Sequence, residues 1–233
     1  MKNSIDHVHF IHVPKTGGTA IKWTVNQYEK LLLTTGEKCK ITCHGHKFSI
    51  ANIPVGENIF FIARDPIDRF VSAFFYCKHK MGPLRALTKK SMAARAVRQL
   101  TPFDTPNDLA ASLDVNHPKF HLAKTVLERN LHMRHISCWY GSKEYFKSRF
   151  SDILFIGFTE TLDADFNNLK KLLNIPSEIT LPQKPKQANK IRNTIRDEHK
   201  IIQEPGLTLL KEWYKQDIEL VALCKEIRAS RAQ

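Results

Sequence analysis

The amino-acid sequence predicts an α/β fold, a parallel sheet flanked by helices, with a helical insertion and C-terminal helices. Short apolar, β-branched runs alternate with segments whose apolar residues recur every three or four positions. Such alternation is typical of parallel strands joined by helical crossovers. A length of 233 residues suits one α/β domain with a substantial core. We therefore predict a single domain over residues 1–233.

The chain opens with a predicted strand, a glycine loop and a helix. Residues 7–13 (HVHFIHV) form an apolar run that Pro14 ends. From Ala20 to Leu33 the apolar residues have helical spacing. The glycines of the intervening loop allow the backbone to approach a ligand, and N–H groups at the start of the helix point toward it. This order therefore predicts an anion-binding loop.

Two further strands and a helix follow. Residues 39–43 (CKITC) are the second predicted strand and residues 58–63 (NIFFIA) the third. Asp65 can cap a helix that reaches about Lys78, with Pro66 in its first turn.

The rest of the chain is predicted to hold the insertion, one more strand and the C-terminal helices. Residues 81–121 contain four prolines and a basic stretch, 85–98, and we interpret them as a helical and irregular insertion. The remaining elements are a helix over 119–132, a strand over 152–158, a helix over 161–173, a loop over 175–193 and mostly helical structure over 196–227.

The net charge is +13, from 36 Lys and Arg against 23 Asp and Glu. This balance predicts an anionic partner, such as nucleic acid, a membrane surface, a polyanionic sugar or a polyphosphorylated nucleotide. The basic residues are spread along the chain and form no recognisable nucleic-acid module, so we expect no nucleic acid.

The five cysteines are scattered and include no C-x-x-C pair. This spacing argues against a disulfide framework and against a zinc site, so we expect buried or half-buried free thiols and no metal.

No apolar run approaches the ~20 residues needed to span a bilayer, so we expect no membrane span. The first residues show no apolar segment with a cleavage site. We expect a cytoplasmic protein, or a catalytic domain separated from a membrane anchor.

The loop Pro14-Lys15-Thr16-Gly17-Gly18-Thr19 is the first candidate binding motif. Its lysine precedes the glycines, whereas a Walker A loop has the lysine after them and ends in GK[ST], which this chain lacks. This difference argues against an ordinary nucleoside triphosphatase. A plain strand-to-helix turn with Thr19 as N-cap is the alternative interpretation. The candidate anion-binding residues are Lys15, Thr16, Gly17, Gly18, Thr19 and Ala20.

Arg64 and Ser72 form the second candidate motif. Arg64 follows the third predicted strand, at the sheet edge where ligands of open parallel sheets bind. Ser72 lies two helical turns beyond Asp65 and faces roughly the same way, so the side chains of Arg64 and Ser72 can reach one anionic group. Arginine suits phosphate because its planar fork donates two parallel hydrogen bonds. The alternative is a salt bridge from Arg64 to Asp65 or Asp68.

Together the two motifs resemble those of the sulfotransferases that use 3'-phosphoadenosine 5'-phosphosulfate (PAPS). Residues 13–19 (VPKTGGT) resemble their 5'-phosphosulfate loop, and residues 64–72 (RDPIDRFVS) resemble their 3'-phosphate motif. Residues 155–160 (FIGFTE) are similar to a later strand of the family. The resemblance implies a P-loop-like sheet, PAPS as donor, adenosine 3',5'-diphosphate as product and a hydroxyl-bearing acceptor. It also implies that Lys15 stabilises the leaving oxygen. We expect the insertion, residues 81–121, to lie over the acceptor site.

His44-Gly45-His46 is similar to a motif of heparan sulfate 2-O-sulfotransferases, in which the second histidine is the base. The resemblance implies that His46 is the catalytic base, that His44 supports the substrate, and that the acceptor is a sugar. This chain is shorter than those enzymes and has no recognisable trimerisation tail, which leaves a uronic acid acceptor unassigned.

Other functions stay open at this point. They are an ATP-dependent P-loop-like kinase, a non-enzymatic protein that binds polyanions or nucleic acid, and a sulfotransferase fold that binds nucleotide without catalysis. The acceptor alternatives are a lipid, a peptide tyrosine and a small alcohol. Acceptor pockets are built from loops, whose structure the sequence predicts least well.

Overall fold

The computed structural model describes residues 5–35, 39–80, 98–182 and 201–231. Within these residues, four parallel strands form one sheet in the order β2-β1-β3-β4. The strands are β1 (His7–Ile11), β2 (Lys40–Cys43), β3 (Ile59–Ala63) and β4 (Ile153–Phe158). The predicted α/β fold with a parallel sheet is confirmed.

Among the described residues, the predicted helices appear in the predicted order, and two short helices between residues 137 and 148 are additional. The helices are α1 (Gly18–Thr35), α2 (Pro66–Lys80), α3 (Pro106–Ala111), α4 (Phe120–Arg129), α5 (Ser137–Tyr140), α6 (Lys143–Ser148), α7 (Leu162–Leu173), α8 (Gly206–Trp213) and α9 (Lys215–Ser230). Helix α3 lies in the predicted insertion, and α8 and α9 are the predicted C-terminal helices. Residues 81–97 of the insertion and residues 183–200 lie outside the described residues. Among the helices that are described, none is long and apolar enough to cross a membrane.

The chain divides into two compact units. The first comprises Met1–Arg64, Ile136–Gln183 and Glu219–Gln233, and the second Asp65–His135 and Lys184–Ile218. One domain over residues 1–233, with an insertion over the acceptor site, stays a prediction.

The first unit contains the sheet, which is covered on both faces. On one face, residues of β1, β2 and β3 pack with α1 and α7, and the cluster includes Phe10, Ile21, Ile41, Phe60 and Phe166. On the other face, Phe61 of β3 contacts Tyr140 of α5 and Phe146 of α6. All five residues of β3 are buried. Such double burial explains why β3 is a continuous apolar run in the sequence.

The second unit has its own apolar cluster, to which α2, α3, α4 and α8 contribute. Helix α2 begins as predicted, because Oδ1 of Asp65 accepts hydrogen bonds from the N–H groups of Ile67 (2.9 Å) and Asp68 (3.0 Å). Arg69 lies within this unit and pairs with Asp217, with 3.6 Å between Nη2 and Oδ2 and with both side chains fully buried.

All five cysteines are free thiols, as predicted. Three are buried, Cys43 is half-buried and Cys138 is exposed.

Candidate active site

Three strands of the first unit end beside one another and carry the candidate residues. Strand β1 lies between β2 and β3, and all three run parallel, so their carboxyl ends share one edge of the sheet. Residues 14–19, here named the Lys15 loop, follow β1. His44-Gly45-His46 follows β2, and Arg64 follows β3. The chain passes from β1 to β2 on one side of β1, and β3 lies on the other side of β1. The order of strands reverses direction at β1, and open α/β sheets bind ligands at such a switch point.

The loop after β1 has an unusual backbone. Lys15 has a φ of 70° and Gly17 a φ of 81°, both in the left-handed region. A non-glycine residue in this region is uncommon and is typical of functional sites. Glycine at position 17 is further favoured because a Cβ there would lie 3.1 Å from Cδ2 of Leu162. Helix α1 begins at Gly18, so the N–H groups of its first turn lie at the end of the loop.

The threonines of the loop differ in their surroundings. Thr16 is buried, and its hydroxyl donates a hydrogen bond to the carbonyl of Val13 at 3.0 Å. This hydrogen bond holds the loop to the end of β1. Because the hydroxyl proton is used in it, the donor that Thr16 can offer to an anion is its backbone N–H. Thr19 is exposed in the first turn of α1, and Ala20 beside it is half-buried.

Arg64 connects the end of β3 to this loop. Its side chain is buried, and Nη1 donates a hydrogen bond to the carbonyl of Lys15 at 3.1 Å. A guanidinium has five N–H donors in a fixed fork, so this contact sets the orientation of the whole group. The structure thus brings Arg64 and the Lys15 loop together, as their positions after neighbouring strands predict.

His46 is held in one orientation by two hydrogen bonds. Its Nδ1 lies 3.0 Å from the carbonyl oxygen of His12, and its own carbonyl accepts a hydrogen bond from Nε1 of Trp139 at 2.8 Å. A carbonyl only accepts, so Nδ1 carries the proton. In the neutral ring the lone pair is therefore on Nε2.

The surroundings of His46 favour its neutral form. Burial lowers the pKa of His46 from its ordinary value of 6.5, the contact with the His12 carbonyl opposes this shift, and the positive charges of Lys22 and Lys15 lower the pKa further. A neutral imidazole with an oriented lone pair can accept a proton from a hydroxyl. The candidate base and the candidate cation follow neighbouring strands, β2 and β1, at the same edge of the sheet.

His44 occupies a different environment from His46. Its Nε2 lies 2.8 Å from Nδ1 of His9, and its ring stacks on Phe48 with 3.8 Å between centroids. Burial lowers the pKa of His44 to about 4, and the nearby His9, Lys22 and His7 add to this shift. His44 is therefore neutral at pH 7 and is engaged with β1.

His12 is a neighbour of the candidate base that the sequence analysis did not assign to the site. Its carbonyl orients His46, and the two ring centroids are 4.1 Å apart. The His12 ring also packs against Gly18, where an added Cβ would come within 2.0 Å of Cδ2 of His12. The position of His12, two residues before the start of the Lys15 loop, is the signal in the sequence that could have identified it.

Trp139 and a buried ion pair are further supports that the sequence analysis missed. Arg149 contacts Asp152 at 2.6 Å and donates hydrogen bonds to the carbonyls of Ile50 (3.2 Å) and Pro54 (3.0 Å). These carbonyls belong to the segment between His46 and β3. Trp139 is 93 positions from His46, and Arg149 is 99 positions from Ile50, so no local pattern could have predicted the contacts.

Ser72 lies on α2, in the second unit, and is buried. Its predicted participation in phosphate binding stays a prediction.

Comparison with known proteins identifies a family. A model of the sulfotransferase family matches residues 3–221 of the chain, a span that contains every candidate residue named above. A search of curated proteins gives no match.

Proposed function

Because the chain belongs to the sulfotransferase family, we propose that it transfers a sulfuryl group from PAPS to a carbohydrate hydroxyl, with His46 as the base. The observation that carries this proposal is the hydrogen bond from His46 Nδ1 to the His12 carbonyl, at the edge of the sheet that also carries Lys15. It leaves the lone pair of His46 on Nε2.

His46 is proposed to take the proton of the acceptor hydroxyl as its oxygen attacks sulfur. An alcohol is a weak nucleophile until that proton leaves, and a neutral imidazole accepts it at physiological pH. The Trp139 hydrogen bond fixes the backbone of His46, so the base keeps one position during the reaction.

The loop residues are proposed to bind the donor. PAPS supplies an activated sulfuryl group whose departure places negative charge on a phosphate oxygen. Lys15 and the N–H groups from Thr16, Gly17, Gly18 and Thr19 stabilise this charge. The N–H of Ala20, which was predicted to act with them, instead donates a hydrogen bond to the carbonyl of Gly17 at 2.9 Å. The left-handed backbone at Lys15 and Gly17 supports this assignment, because such conformations turn successive N–H groups toward one point.

Arg64 is proposed to bind the 3'-phosphate, the group that distinguishes PAPS from ATP. Its burial and its fixed contact with the Lys15 carbonyl support a preoriented guanidinium. Ser72 is assigned to the same phosphate on the resemblance of residues 64–72 alone.

A sugar acceptor is proposed from the His44-Gly45-His46 motif, which is similar to that of heparan sulfate 2-O-sulfotransferases. The net charge of +13 favours an acceptor that carries acidic groups. His44 is assigned a supporting role on the substrate side.

A thermal-shift titration with adenosine 3',5'-diphosphate, AMP and ATP tests the donor site. A ligand present at about 100 times its Kd stabilises a protein by about 2.7 kcal/mol, which corresponds to roughly 5–11 °C for a domain of this size. We expect the 3',5'-diphosphate to raise the Tm more than AMP does. The Lys15→Ala variant should lose most of this shift, and the control Lys147→Ala, at an exposed position on α6, should keep it.

Stabilisation by ATP alone would contradict the proposal and favour a kinase. No response to any of the three nucleotides would instead favour a protein that binds polyanions without catalysis.

A further inference from the structure

A second group of polar side chains lies toward the amino end of β1, apart from the Lys15 loop. His7 and His9 are two residues apart on one strand, so their side chains lie on the same face of the sheet. Glu57 comes shortly before β3, the neighbouring strand, whose Ile59 pairs with His9. The amide of His9 donates a hydrogen bond to the carbonyl of Asn58 at 2.8 Å, which fixes Glu57 beside the two histidines.

The ligand atoms of these three residues converge. Oε2 of Glu57 lies 3.8 Å from Nδ1 of His7 and 3.7 Å from Nε2 of His9, and one ligand atom from each residue lies within 4.8 Å of the others. Metal–ligand bonds of about 2.0–2.2 Å place neighbouring tetrahedral ligands ~3.4 Å apart. The half-exposed Glu57 side chain needs to move only a few tenths of an ångström to reach this spacing from each histidine. The His7 and His9 nitrogens, which lie at most 4.8 Å apart, reach it by rotation of the two rings.

The other nitrogen of each histidine is already engaged. Nε2 of His7 lies 2.8 Å from Oγ1 of Thr42, and Nδ1 of His9 lies 2.8 Å from Nε2 of His44. In metal sites the second ring nitrogen of a ligating histidine almost always has such a partner, which fixes the tautomer and the ring orientation. A simple His–Glu surface pair needs neither of these contacts.

We propose that His7, His9 and Glu57 bind a divalent transition-metal ion of the zinc class. Two imidazole nitrogens and one carboxylate oxygen suit Zn²⁺ and its neighbours, whereas Mg²⁺ and Ca²⁺ prefer oxygen ligands. The three side chains are 33%, 12% and 44% exposed, so an ion can enter and water can complete its coordination. Cysteine spacing did not predict this site because its ligands are histidines and a glutamate 48 positions beyond His9.

The site connects two strands with the start of a third. The ion would join β1 to the segment before β3, and the His9–His44 contact extends this linkage to the residue that follows β2. The proposal does not depend on sulfuryl transfer, since its three ligands are residues that the proposed transfer reaction does not use.

Metal titration of protein pretreated with EDTA tests the site. We expect the full chain to bind one Co²⁺, visible as the absorption of a tetrahedral ion, and Zn²⁺ to displace it and raise the Tm. Mg²⁺ should do neither. Glu57→Gln removes one ligand at an exposed position and should weaken Co²⁺ binding by at least ~100-fold, while Thr42→Val, which removes only a supporting hydroxyl, should weaken it roughly 10-fold.

His121→Gln is the matched control, since it removes an exposed imidazole on α4. Equal affinity in Glu57→Gln and the unchanged protein would overturn the proposal, as would the absence of Co²⁺ and Zn²⁺ binding by the unchanged protein. A loss of affinity in His121→Gln as large as that in Glu57→Gln would assign the ion elsewhere and would also overturn it.

Discussion

At the scale of single residues, the protonation of His46 is set by opposing contacts. Burial and the cations Lys22 and Lys15 lower its pKa, and the His12 carbonyl raises it, with a net shift below 6.5. A base must be neutral to accept a proton, so activity should be retained as the pH falls to 6.5 and should be lost only at lower pH. We predict that kcat/KM, which reports the free enzyme, falls on the acid side with a midpoint below pH 6.5.

His46→Ala tests whether this ionisation belongs to the proposed base. The variant should lose sulfuryl transfer by ~100-fold or more, the usual contribution of a general base, and its residual rate should no longer fall on the acid side. Retention of near-full activity would assign the base elsewhere, with His44 as the next candidate. A midpoint above pH 6.5 in the unchanged enzyme would contradict the effect of burial.

Gly18 is a second residue at which one contact decides the outcome. A Cβ at this position would lie 2.0 Å from Cδ2 and 2.3 Å from Nε2 of His12, so Gly18→Ala must displace the ring that packs against His46. We predict that the variant is destabilised by about 1–3 kcal/mol, as for other overpacked sites, and that it loses activity.

Gly45→Ala is the matched control, because an added Cβ there meets nothing within 4 Å. Its free energy of unfolding, measured with urea, should stay within about 0.5 kcal/mol of that of the unchanged protein. Equal stability and activity of the two variants would show that the His12 ring does not support the site.

At the scale of elements, the segment between β2 and β3 depends on a residue from outside it. Arg149 is buried with Asp152 and donates hydrogen bonds to the carbonyls of Ile50 and Pro54. Burial alone would raise the pKa of Asp152. Its hydrogen-bond partners, among them Arg149 and the Gly56 amide, lower this pKa by more, so the net shift is downward. Arg149→Met leaves a buried carboxylate without its cation, so we predict a loss of about 3–5 kcal/mol in unfolding free energy.

Arg129→Met, at an exposed position on α4, removes the same side chain where it is solvated and should change stability by less than about 0.5 kcal/mol. Hydrogen exchange of residues 45–58 supplies a second measurement. Faster exchange in Arg149→Met alone would agree with the proposed support, whereas unchanged exchange there would contradict it.

The elements that the sequence predicts well are those whose signal is local. The apolar run of β3, the Asp65-Pro66 start of α2 and the helical spacing of α1 each contain their own evidence, and the structure places them within one or two residues of the prediction. Helices α5 and α6 were missed because they have only 4 and 6 residues, too few for a period to appear.

The residues of the candidate site also divide into those with a local signal in the sequence and those without one. Lys15 was identifiable because it lies in the glycine loop after a predicted strand, and parallel strands bring such loops to one edge. His46 also lies in a loop after a predicted strand, but its role was identified by the resemblance of the His44-Gly45-His46 motif. The contact of His46 with Trp139 was not identifiable, since the two residues lie 93 positions apart. The strand ends predict that Arg64 lies near Lys15, but not that its guanidinium donates to the Lys15 carbonyl. Tertiary packing decides these contacts, and one sequence contains no direct record of it.

At the scale of the whole molecule, the net charge of +13 is a property that no single residue explains. Both the proposed donor and an acidic sugar are anions, so the charge should attract them over distances of about one Debye length, ~10 Å at 0.1 M salt and ~3 Å at 1 M. Such attraction acts on the rate of encounter rather than on the chemical step. It therefore provides a way to distinguish acceptor classes without a structure of a complex.

We predict that salt lowers kcat/KM much more for an acidic oligosaccharide acceptor than for a neutral one, when both are measured at saturating PAPS. Saturation removes the donor's own salt dependence from the comparison, and the neutral acceptor controls for effects of salt on the fold. Electrostatic attraction accelerates association by ~10–10³-fold, so the acidic acceptor should lose roughly tenfold or more between low salt and 1 M. Equal loss for both acceptors would mean that the positive charge does not face the acceptor, and the preference for an acidic sugar would then have to be abandoned.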